Sequence, residues 1–124
     1  MSAQGYTATI TEASWDMTAL EKVAYKTIDD AVMIDEAAEN PFIISPKAYY
    51  IVQIHNEKSD SKDYTKFVLI DEDNTKYVTG SETFWNSFMD IYRELEGENF
   101  SIKIYKRDSK NYKGKQFITC NVVI

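Results

Sequence analysis

The chain has 124 residues, 44% of them hydrophobic, and a formal charge of −6. That length makes one domain, residues 1–124, with a sizeable core, and four glycines and two prolines are too few for a disordered chain. A single cysteine excludes an internal disulfide, no apolar run is long enough for a membrane helix, and residues 1–5 lack the basic and apolar parts of an export signal, so a cytoplasmic protein with no membrane contact is expected.

Residues 6–11, Tyr-Thr-Ala-Thr-Ile-Thr, are β-branched and read as a short strand. Ser14 is placed as an N-cap for a helix running from Trp15 to about Lys26, with Met17, Leu20, Val23 and Ala24 on its apolar side. Residues 29–38 read as a second helical segment or as irregular structure, ended in either case by Asn40 and Pro41. Phe42, Ile43 and Ile44 make a short extended run between two prolines. Residues 48–55 alternate, with Tyr50, Val52 and Ile54 on one face and Tyr49, Ile51, Gln53 and His55 on the other. After a charged turn comes a strand over 64–70, an acidic turn, and a third strand over 76–79. Ser81 caps the next helix, in which Phe84, Phe88, Ile91 and Leu95 form one stripe, widened by Trp85, Met89 and Tyr92, with Gly97 as its terminator. The chain closes with a hairpin. Phe100, Ile102 and Ile104 alternate with Ser101, Lys103 and Tyr105, and Ile118, Cys120 and Val122 alternate with Phe117, Thr119 and Asn121.

That hairpin is where the charge reverses. From Phe100 onward Lys103, Lys106, Arg107, Lys110, Lys113 and Lys115 face Asp108 alone, a local charge of +5 that leaves −11 for the rest of the chain. Residues 1–45 hold two lysines against eight acids. Tyr105, Tyr112 and Phe117 are interleaved with the hairpin's cations. Flat rings among point charges suit a ligand with stackable faces and a phosphate backbone, as single-stranded nucleic acid has, whereas a plain lysine-rich tip would only protect a sheet edge. Tyr49, Tyr64 and Tyr77 are further stacking candidates, and Lys66 and Lys76 further phosphate contacts. With about four cations engaged, log K would fall with log salt at a slope of about −3.

Little supports catalysis, so a protein without enzymatic activity or cofactor is expected. His55 is the only histidine and reads as a surface residue, while Cys120 sits in an apolar alternation and reads as a core thiol. No Cys/His cluster has zinc spacing, and Asp71, Glu72 and Asp73 lack the pattern of a calcium loop. A protein-interaction module or inhibitor acting through the acidic, Tyr-rich surface is the alternative function.

From Ala48 the order is strand, strand, strand, helix, strand, strand. This is the order of the five-stranded OB barrel, with its helix between the third and fourth strands, and equally of a generic α+β sheet with a helix on one face. The expected fold is therefore mainly β with helices, an OB barrel over 48–124 with an acidic N-terminal extension over 1–47. The strings Lys66-Phe67-Val68-Leu69-Ile70-Asp71 and Tyr77-Val78-Thr79-Gly80-Ser81, followed by a basic loop before residues 117–123, resemble the single-stranded-DNA-binding proteins of small bacteriophages of Gram-positive bacteria. The resemblance covers about residues 48–124. It implies an OB fold that coats single-stranded DNA without sequence preference during replication or recombination, in the cytoplasm of the host, sometimes as a homodimer, with replication or recombination proteins as further partners. Cellular proteins of this function end in an acidic recruiting tail. This sequence ends in strand residues, so recruitment through such a tail is not expected.

Overall fold

Two long segments dense in β-branched and aromatic residues make the centre of the fold, in a computed structural model that describes residues 5–58, 62–109 and 114–124. They are β4 (Pro46–Asn56) and β5 (Asp63–Asp71), paired antiparallel. Around them lie β1 (Tyr6–Ala13), α1 (Ala19–Tyr25), β2 (Val32–Met33), α2 (Ile34–Ala37), β3 (Phe42–Ile44), β6 (Lys76–Thr79), α3 (Glu82–Glu94), β7 (Ile102–Asp108) and β8 (Gln116–Val122). One sheet has the order β1-β4-β5-β6-β2, antiparallel except where β2 runs parallel to β6. The other is an antiparallel sheet of order β3-β7-β8. The architecture is mixed α+β, mostly strand.

Among the described residues the two sheets are not closed into a barrel. The expected element order from Pro46 onward is present, but the C-terminal hairpin pairs with β3 rather than with the long strands. The reason lies in which edges are free. β1 occupies the outer edge of β4 and β2 that of β6, so neither edge is left for the hairpin. Three strands from the first 47 residues thus enter the two sheets.

The five-stranded sheet is covered on both faces. On one face Tyr49, Phe67 and Leu69 pack with Phe84, Trp85, Phe88 and Met89 of α3 and with Ile44, Ile102, Ile104, Ile118 and Cys120 of the smaller sheet. On the other, Tyr50, Val52, Ile54, Val68, Ile70 and Val78 lie under Trp15, Met17, Tyr25 and Ile28. Burial of both faces explains the unbroken apolar run Phe67-Val68-Leu69-Ile70. The second cover is tied down by edge-on rings, with Trp15, Tyr25 and Tyr50 at 5.6 to 6.3 Å, and by the Tyr50 hydroxyl donating to the Tyr25 carbonyl at 2.8 Å.

The N-terminal region departs from its sequence pattern. The first helix starts at Thr18, whose hydroxyl accepts from the Glu21 N–H while the Glu21 carboxylate accepts from the Thr18 N–H. Ser14 instead prolongs β1, accepting from the Tyr49 N–H at 3.0 Å. α1 buries none of its residues, and Leu20 and Val23, expected inward, are 80% and 61% exposed. The second expected helix is reduced to α2, behind the short parallel strand β2. In contrast α3 begins at the expected cap, where the Ser81 hydroxyl accepts from the Phe84 N–H, and its aromatic stripe is buried. Among the described residues no helix is long and apolar enough to cross a membrane.

Candidate nucleic-acid interface

The alternation in β7 and β8 sorts the hairpin into two faces. Ile102 and Ile104, with Ile118 and Cys120 opposite, point into the core. Lys103, Tyr105 and Arg107 point the other way, opposite Asn121, Thr119 and Phe117. Ile43 of β3 lies beside Lys103 on this outer face and is 59% exposed. No carboxylate occurs among these seven outward residues, although the whole chain is acidic. Two cations and two rings therefore share one surface, which is what a stacked, phosphate-linked strand requires.

The rings are held in place. The Asn121 amide N–H donates to the Tyr105 hydroxyl at 2.7 Å, a diagonal contact across β7 and β8 that restrains the ring over the sheet. Phe117 is half-buried beside Arg107. Thr119 is buried because α3 packs against β8, with its hydroxyl donating to Ser87 at 3.3 Å, so the helix bounds the face on that side. Asn121 was not singled out in the sequence, though its place two residues beyond Thr119 in the alternation was the available signal.

The other predicted residues are distributed elsewhere. Lys106 lies on the inner side of β7 and is ion-paired with Glu39. Lys115 precedes β8, where its carbonyl accepts from the Ser109 N–H at 2.9 Å. Lys110, Tyr112 and Lys113 lie outside the described residues. Tyr49, expected on an outer face, is only 8% exposed because α3 covers it, with Trp85, Phe88 and Tyr92 at 5.1 to 6.3 Å. Burial, and then the charge of the Glu12 carboxylate that accepts from its hydroxyl, pushes the Tyr49 phenol up from its ordinary value. Tyr77 stacks on Phe42 at 5.8 Å, part of the same inner layer. These two rings stabilise the core and do not reach the outer hairpin face.

Tyr64, Lys66 and Lys76 belong to the opposite face of the large sheet. Lys66 lies 5.8 Å from the Tyr64 ring centroid, in a groove that Asp63 and Glu82 also line. Lys76 sits 5.1 Å over the Tyr25 ring and 3.7 Å from Asp30, and helps fasten the N-terminal cover. The structure thus brings together Lys103, Tyr105, Arg107 and Phe117 and separates them from the tyrosines and lysines of β4, β5 and β6.

Of the residues considered for catalysis, Cys120 is a core residue and His55 lies on the surface between two carboxylates. Cys120 is buried, which pushes its thiol up to about 12. His55 is held between Asp63 at 2.7 Å and Glu57 at 2.6 Å. Among the described residues no group of three or more His, Cys, Asp or Glu side chains could hold a metal ion. Comparison with known proteins finds no match to a family model, a curated protein or a solved structure.

Proposed function

We propose that this protein binds single-stranded DNA without sequence preference, through the outer face of the β3-β7-β8 sheet. The observation that carries the reading is the make-up of that face: Lys103, Arg107, Tyr105 and Phe117 on one surface with no carboxylate among its outward residues. Rings stack on any base and lysines follow any phosphate, so such a face is indifferent to sequence. The resemblance of residues 48–124 extends the proposal to a phage protein that coats DNA during replication or recombination. The OB barrel is the finer proposal for the fold and rests on element order alone. Binding does not require closure, because a strand face carrying rings and cations suffices.

The test is a titration of fluorescein-labelled oligo-dT followed by anisotropy at several salt concentrations. With Lys103 and Arg107 engaged on this face, log K should fall with log salt at a slope of about −1.4. Tyr105→Ala should weaken binding by about 1–3 kcal/mol on any sequence, while Tyr105→Phe, which keeps the ring, should lose much less. Absence of binding at low salt, or a Tyr105→Ala protein that binds as the parent does, refutes the proposal.

A further inference from the structure

β3 is only three residues long, and Pro41 stands before it. Proline has no N–H to give to a ladder, so pairing stops at Phe42 opposite Ile104. Beyond Ile104 the edge of β7 faces residues 38–41 instead of a strand, and a cleft of about 390 Å³ opens there. Lys103 and Tyr105 reach it from the outer face and Lys106 from the inner one, so three residues that alternate along β7 line one space. Glu39 lines it too, and its carboxylate is ion-paired with the Lys106 ammonium. The lysine is the anchored partner, 24% exposed, whereas Glu39 is 70% exposed and can swing into solvent.

We propose that this cleft is the phosphate subsite of the interface and that Glu39 fills it in the free protein, to be displaced from Lys106 by a backbone phosphate of the bound strand. The inference rests on the single-strand-binding reading above. A phosphate in the cleft meets Lys103 and Lys106 together, with Tyr105 beside it for the attached base. An ammonium is a compact charge that accepts a carboxylate or a phosphate oxygen alike, and a surface ion pair is weak enough to exchange. Glu39 therefore lowers the affinity of the face without blocking it.

The test uses the full chain and oligo-dT. Glu39→Gln should tighten binding by about two- to fivefold at low salt, the equivalent of one surface ion pair, and should steepen the salt slope by up to about 0.7, because no carboxylate is then released to gather a counterion. In a Lys106→Met background the Glu39→Gln gain should vanish. A parent protein that binds but gains nothing from Glu39→Gln, or a gain that survives Lys106→Met, overturns this inference alone. A parent protein that does not bind removes the reading beneath it as well.

Discussion

Tyr105 is placed by its neighbours as much as by its strand. Alternation alone puts the ring outside, and the Asn121 amide then fixes where its hydroxyl lies. The same alternation placed Lys103 and Phe117, whereas Arg107, read as part of the loop between the strands, lies in β7, which runs on to Asp108. Alternation could not reveal Glu39, whose carboxylate meets Lys106 across 67 positions of sequence, nor the burial of Tyr49, whose period-two pattern is the same whichever face a helix covers. His55, read as a surface residue, has a more specific setting. Its ring nitrogens face Asp63 and then Glu57, with Lys62 3.6 Å from Glu57, and hydrogen bonding to the two carboxylates raises its pKa above the ordinary 6.5. The fold therefore favours the imidazolium. That stabilisation is complete below the ordinary pKa and is lost as pH rises through the raised one. The melting temperature should fall as pH climbs from about 6.5 through that window, and His55→Gln should flatten the step. A step of equal size in both proteins contradicts the assignment.

The elements that read clearly from sequence are those whose apolar period and caps agree with their packing. α3 has a serine cap, a continuous aromatic stripe and a buried face, and β4 to β6 fall close to where alternation set them. α1 is the opposite case. Its capping box supports it locally, but its apolar residues Leu20 and Val23 face solvent, and the sheet is covered instead by Trp15 and Met17 before it and Tyr25 and Ile28 around its end. Periodicity within so short a helix carries no information about such flanking contacts. If Trp15 is what seats the segment, Trp15→Ala should cost about 2 kcal/mol in urea unfolding, less than a fully buried tryptophan because the ring is half-buried. DNA binding should be unaffected, since the ring packs against the sheet face opposite α3 and the hairpin. A loss of binding without a loss of stability would show that this cover has been misassigned.

For the molecule as a whole, charge is divided between an acidic N-terminal part and a basic C-terminal hairpin, and this division was visible in the sequence. Sheet topology was not. The string of elements is shared by an OB barrel and an open α+β arrangement, and the choice between them depends on which strand edges the N-terminal residues occupy. That β1 and β2 take the edges of β4 and β6 is a long-range outcome that no local pattern encodes. Those placements leave the hairpin to pair with β3, and on its uncovered side, among the described residues, cations and rings meet with no acid among the outward strand side chains.

The most direct check is to map the contact surface by amide chemical-shift perturbation on adding oligo-dT to the isotopically labelled protein. The account predicts that the largest shifts fall on Ile43, Lys103, Tyr105, Arg107, Phe117 and Asn121, and on Glu39 as it leaves Lys106. Shifts concentrated instead around Tyr64, Lys66 and Lys76, with the outer hairpin face silent, would contradict it.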